Sequence, residues 1–291
     1  MRKSGSKTSQ ELSKGRSRNK LLPVTTYCRN CNTKLYSRYC HNCGQDLFAG
    51  RERTLRAIIY NAFDSMFAFD NKILKTFKSL VFSPGKLTTE YLSGHIVKYM
   101  PPAKLFWAIS IIFFFFFSIS LQTQVKTQEN TPTPMSVDVS VENSNRNETG
   151  NEINEKVFIE TSIRYLPYAI LLLTPLFALL LRIAYRKNVK YYADHMVFSL
   201  HFHSFLFIAL GMITIAYNSI NSSWIPWGCL YSLIPLIYFV IASKRVYNPK
   251  IWSLIKRTIF VVVLYLFVMI VFMILFIITI LSIFYPELIS G

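Results

Sequence analysis

Residues 104–121 read KLFWAISIIFFFFFSISL, a run in which Lys104 carries the only charge, and they follow directly on Pro101-Pro102-Ala103. At about 1.5 Å per residue such a run spans the roughly 30 Å hydrocarbon core of a bilayer. The proline pair suits a helix start, because the N–H groups it lacks would have been unpaired there anyway. Lys104 is expected to snorkel toward the headgroups. Four further runs pass the same length test, at roughly 165–183, 196–217, 224–243 and 258–283. The chain therefore reads as an all-α polytopic membrane protein with about five transmembrane helices. Composition agrees: 52% of the 291 residues are hydrophobic, 24 are Phe and only 16% are charged, more apolar surface than one soluble core can hide.

Orientation follows from Lys and Arg, which are retained on the cytoplasmic side during insertion. The region before the first span is strongly basic, from Arg2, Lys3 and Lys7 onward, and no cleavable signal peptide is visible. The stretch 122–160 instead carries Glu129, Asp138, Glu142, Glu148, Glu152, Glu155 and Glu160 against three basic residues. Basic clusters return at Arg182, Arg186, Lys187 and Lys190 and again at Lys244, Arg245, Lys250, Lys256 and Arg257. The pattern predicts a cytoplasmic N-terminus, an external and disordered loop at about 122–160, and the C-terminus outside. Trp224 and Trp227 fall where an interfacial aromatic belt would lie. The net charge of +17 is thereby explained by loops facing anionic lipid, and nucleic acid is the lesser reading.

Ahead of the spans stand Cys28-x2-Cys31 and Cys40-x2-Cys43. Each knuckle sets two thiolates on one tight turn, so a pair of turns can clamp one ion tetrahedrally. In a reducing compartment this spacing favours structural zinc over disulfides; reduced thiols or an iron site of the same geometry are the alternatives. Gly44 follows the second knuckle, where the turn calls for a positive φ, and the residues between the knuckles suffice for a short hairpin. A closed four-sulfur shell folds a module and leaves no position for substrate, so the metal is structural. Cys229 lies in an apolar run as an ordinary small hydrophobe.

The domain reading is a basic disordered tail at 1–22, a zinc ribbon at 23–50, cytoplasmic amphipathic helices at 51–100 and a transmembrane bundle at 101–285. Leu55, Ile58, Ile59, Ala62, Phe63, Met66 and Phe67 form one helical stripe. Ile73, Leu74, Phe77, Leu80 and Val81 form a second, interleaved with Lys72, Lys75 and Lys78, suited to the headgroup layer and its anionic lipids. Packing of these helices on the bundle's own cytoplasmic loops is the competing reading. Ser83-Pro84 reads as a third helix start, with Gly94 as its stop.

The third span opens with Asp194-His195 and continues to His201-Phe202-His203-Ser204, ionisable groups that are costly at membrane depth. At about 100° per residue His195 and His203 share a face and His201 points elsewhere, so one helix cannot make a metal site from them. They serve either a proton relay or substrate pocket completed by other helices, or hydrogen bonds that hold helices together. The lack of an acidic residue deep in any other span favours the second. No Ser-His-Asp order, paired buried carboxylates or H-E-x-x-H pattern supports an enzyme.

Several blocks resemble a family of uncharacterised bacterial integral-membrane proteins, abundant in the Bacteroidetes, with an N-terminal double-knuckle ribbon. They are Tyr27-Cys28-Arg29-Asn30-Cys31, Tyr39-Cys40-His41-Asn42-Cys43-Gly44-Gln45, Phe69-Asp70-Asn71-Lys72, Ser83-Pro84-Gly85-Lys86, Glu90-Tyr91-Leu92-Ser93-Gly94 and Lys98-Tyr99-Met100-Pro101-Pro102. His195 to Phe205 is similar to the family's His-rich span. The resemblance implies a bacterial inner membrane and a bound zinc, and supplies no activity. The leading functional expectation is a scaffold or regulatory protein whose ribbon and amphipathic helices recognise a cytoplasmic protein partner or lipid. The alternative is a transporter or lipid-handling protein using the histidines.

Overall fold

The computed structural model describes residues 27–46, 72–129, 155–220 and 224–284. Within them the helices are α1 (Ile73–Phe82), α2 (Lys86–Leu92), α3 (Pro102–Glu129), α4 (Glu155–Tyr185), α5 (Tyr192–Ile220), α6 (Trp227–Tyr247) and α7 (Ile251–Phe284). Four stretches are long and apolar enough to cross a membrane: Pro102–Ile119, Tyr192–Ile220, Trp227–Tyr247 and Ile251–Ser282. The remaining expected span, 165–183, falls inside the 31-residue α4, whose apolar described stretch Leu171–Tyr185 is shorter. The architecture is thus all-α and polytopic. The basic tail and the stripe from Leu55 to Phe67 lie outside the described residues.

The loop expected at 122–160 is narrower than its composition suggested, because α3 continues to Glu129 and α4 begins at Glu155. Residues 121–129, LQTQVKTQE, are mostly good helix formers, so the helix propagates beyond its bilayer-length segment.

α5 is the central helix, packed by α3, α4 and α6. Between helices in lipid there is no hydrophobic drive, so close packing and interhelical hydrogen bonds must hold the bundle. Both occur along α5. Phe205 stacks on Tyr238 with ring centroids 3.6 Å apart, and Phe177 stacks on Phe202 at 5.2 Å. Ser199 donates to the carbonyl of Thr174 at 2.8 Å, Tyr192 to that of Pro175 at 2.9 Å, and Thr214 pairs with Tyr231 at 3.0 Å.

The hairpin α1–α2 packs on the bundle and does not merely lie beside it. Tyr238 donates to the carbonyl of Leu80 at 2.9 Å, Arg245 to that of Pro84 at 2.8 Å, and the Met100 N–H to Thr76 Oγ1 at 3.1 Å. The helix expected to start at Ser83-Pro84 begins only at Lys86, because Gly85 sits in the left-handed region (φ 76°) and closes the turn. The same glycine lets the turn touch α6: a Cβ there would lie 2.9 Å from the Ala242 carbonyl oxygen. α1 turns Thr76, Ser79 and Leu80 inward and leaves Ile73, Leu74 and Phe77 exposed, so its apolar stripe is only partly used by the protein. Lys104, expected to snorkel, is instead buried at the head of α3 with 8% of its surface exposed.

Candidate metal centre and the buried histidines

The two knuckles are built alike. In the first, Cys28 N–H donates to the Thr33 carbonyl and Asn32 N–H to that of Cys28, both at 2.8 Å. In the second, Cys40 N–H donates to the Gln45 carbonyl at 2.9 Å and Gly44 N–H to that of Cys40 at 2.8 Å. Each loop is closed by one antiparallel bridge, Tyr27 with Lys34 and Tyr39 with Asp46, so pairing folds each knuckle on itself and the hairpin expected between them does not form. The residue after each second cysteine has a positive φ, 57° at Asn32 and 73° at Gly44. Only the glycine was read from sequence. Asn32 occupies the same register in the repeated Tyr-Cys-x-Asn-Cys pattern, and asparagine is among the few residues that visit this region.

The ligand atoms of Cys28, Cys31, Cys40 and Cys43 all lie within 4.8 Å of one another. The close pairs cross between knuckles, Cys28 with Cys43 and Cys31 with Cys40, each at 3.5 Å. Metal–sulfur bonds of about 2.3 Å in a tetrahedron give sulfur–sulfur edges of about 3.8 Å, so the four thiols fit a single ion with a small adjustment. Burial pushes the Cys28 thiol up to about 12, whereas hydrogen bonding with Thr33 brings Cys31 down to about 6. The buried Cys28 thiol therefore holds its proton more tightly than a free cysteine does, and a metal would have to displace that proton to bind there. The Asn30 N–H donates to Cys28 Sγ at 3.4 Å, the backbone support a ligating sulfur uses.

The ribbon is docked, not free. Gln45, buried, donates from Nε2 to the carbonyl of Gly94 at 2.7 Å, and Arg29 lies over Gly94 so that a Cβ there would meet its Cδ at 3.0 Å. Gly94 follows α2, and its loop is held by Glu90, which pairs with Lys98 at 2.9 Å and lies 3.3 Å from His95. Burial works to raise the Glu90 carboxyl, but the Lys98 hydrogen bond and nearby positive charges win and hold it below the usual carboxylate range. Lys98 is correspondingly raised by its bond to Glu90.

Asp194, His195, His201 and His203 are all buried on α5, and the rings go to different neighbours. His195 Nδ1 is 3.0 Å from the Tyr247 hydroxyl, on α6. His201 Nδ1 is 2.9 Å from Thr88 Oγ1, on α2. His203 Nε2 is 3.0 Å from the Tyr265 hydroxyl, on α7, while its Nδ1 is 2.9 Å from the Ser199 carbonyl. The hydroxyl partners Thr88, Tyr247 and Tyr265 were invisible in the sequence, where nothing links positions so far apart.

The fold and the four-thiol cluster together define a polytopic helical protein of membrane type, carrying a candidate metal centre on a ribbon docked to an amphipathic hairpin. A family model described as "Protein of unknown function (DUF3667)" matches residues 70–114, which cover the hairpin and the first part of α3. Cys28, Cys31, Cys40 and Cys43 and the α5 histidines His195, His201 and His203 lie outside that match. No curated protein and no solved structure matches the chain.

Proposed function

We propose that this is a bacterial inner-membrane protein with a cytoplasmic N-terminus and an external C-terminus, acting as a scaffold or regulator whose zinc ribbon recognises a cytoplasmic protein partner. The observation that carries the reading is the seat of the ribbon. Its buried Gln45 bonds the Gly94 carbonyl at 2.7 Å, on the loop that leads from the hairpin into the first span, so a head that binds a partner is mechanically tied to the bundle. Four thiolates in a reducing compartment suit zinc, and a closed shell folds the head without catalysing anything. The bilayer, with its anionic headgroups, is the second partner of the basic cytoplasmic side; nucleic acid is the weaker candidate.

The transporter or lipid-handling alternative gains little from the histidines. Their rings reach hydroxyls on three separate elements, as interhelical ties do, and form no common site.

The test is purification in mild detergent, metal analysis and identification of co-purifying proteins. About one zinc ion per chain is expected, together with a partner that Cys28→Ser/Cys40→Ser loses while the bundle still extracts as a folded protein. A metal-free wild type, or a partner retained by the double variant, would count against the proposal.

A further inference from the structure

The contacts along α5 set the depth of the hairpin. Phe106 stacks on Phe207 at 5.9 Å, and Phe113 lies 3.6 Å from where a Cβ of Gly211 would be, so α3 and α5 run side by side in the same direction. That register places Pro102 level with about residues 200–203, and about 12–17 Å of α5 precedes the start of α3. α5 has 29 residues, about 43 Å, more than the roughly 30 Å of hydrocarbon. The apolar stretch of α3, Pro102–Ile119, has 18 residues, about 27 Å, and matches it. On this flank the hydrocarbon therefore starts near Pro102. The first turns of α5 stand at headgroup depth, where Thr88 of α2 meets His201 and α1 lies against α6.

At that depth the outer face of α1 meets no partner among the described residues. Leu74 is 83% exposed, Phe77 43% and Ile73 37%, and the three share an arc of about 100°. Lys78 and Lys75 are the next positions around the helix, both exposed, and among the described residues neither meets a carboxylate. Lys75 Nζ lies 5.6 Å from the Tyr99 ring centroid. An apolar strip bordered by ammonium groups that meet no carboxylate among the described residues, at the level where hydrocarbon meets headgroup, is complementary to a lipid with a negative phosphate.

We propose that the outer face of α1 is a binding seat for an anionic phospholipid, with acyl chain against Leu74 and Phe77 and phosphate on Lys75 and Lys78. The inference rests on the membrane-spanning reading of the bundle and deepens it by naming the lipid class and the site.

The test places the full chain in nanodiscs and uses Leu74→Trp and, separately, Phe77→Trp, read as the added fluorescence over the native tryptophans. Lipids brominated on the acyl chain are expected to quench the added signal, and aqueous acrylamide is not. In native mass spectrometry the wild type should retain phosphatidylglycerol over phosphatidylcholine roughly thirtyfold better than Lys75→Gln/Lys78→Gln, from about 1 kcal/mol per lysine, and the margin should shrink with salt. Quenching by acrylamide alone would overturn the proposal, as would protection from both quenchers, which would mean a protein partner covers the face. Equal lipid retention by wild type and double variant would also overturn it. If brominated lipid reaches neither the added nor the native tryptophans, the spanning reading itself fails; if only the added one escapes, the seat alone does.

Discussion

Gly85→Ala isolates the contact that seats the hairpin. Two separate penalties meet at this residue. An alanine at φ 76° pays the left-handed cost of about 1–2 kcal/mol. Its Cβ would also lie 2.9 Å from the Ala242 oxygen and 3.0 Å from its Cα, both backbone atoms that cannot rotate away, so α2 must retreat from α6 at a typical overpacking cost of about 1–3 kcal/mol. Together they predict a loss of about 2–5 kcal/mol, on the order of 5–15 °C in the thermal midpoint. The assay is thermal unfolding of the detergent-solubilised protein, with limited proteolysis at the 83–86 turn to report local release. Gly211→Ala is the internal control: its Cβ meets only Phe113 at an ordinary 3.6 Å, and helix propensity favours alanine there by up to about 1 kcal/mol. If Gly85→Ala melts with Gly211→Ala or above it, the close approach of α2 to α6 is not present and the seating argument fails.

His203→Phe should strand the Tyr265 hydroxyl and cost about 0.5–2 kcal/mol, with Tyr265→Phe adding little on top; additive losses in the double-variant cycle would show that the two do not form a pair. Glu90, held low, and Lys98, held high, stabilise the loop between the ordinary carboxylate value of about 4.3 and the ordinary lysine value of about 10.4. The effect disappears as pH falls through the lowered Glu90 value or rises through the raised Lys98 value. Glu90→Gln should therefore be less stable than wild type by about 0.2–1 kcal/mol at pH 7, with the gap narrowing below about pH 4.3 and closing once the pH has passed through the lowered Glu90 value; a gap that does not narrow on acidification refutes the pairing. Chelation of the metal should make the segment 27–46 protease-sensitive while α3 to α7 stay protected; an intact ribbon in chelator would show that the thiols hold without an ion.

Some of the site was legible because its signal is local. The Cys-x2-Cys repeats announced the cluster, since a knuckle brings its two sulfurs together whatever the rest of the chain does. The spans were legible for the same kind of reason, because hydropathy acts residue by residue. α1 is a helix as expected, and its apolar stripe is divided, with Leu80 packed on the bundle and Ile73, Leu74 and Phe77 exposed. Periodicity identifies an apolar stripe, but it cannot say that the bundle would take Thr76, Ser79 and Leu80 and leave Leu74 out. Lys104 was expected at the headgroups and is instead buried, because burial of one residue depends on what packs against the span and not on the span's own hydropathy.

What the amino-acid sequence determined alone was the all-helical, membrane-type architecture and the four-cysteine cluster, both consequences of short-range chemistry: hydrocarbon length and turn spacing. Only the tertiary structure decided where Gln45 docks, which hydroxyl each histidine meets and which face of α1 is left open. Those contacts join residues tens to more than a hundred positions apart, and no local preference encodes a pairing that exists only once helices have packed.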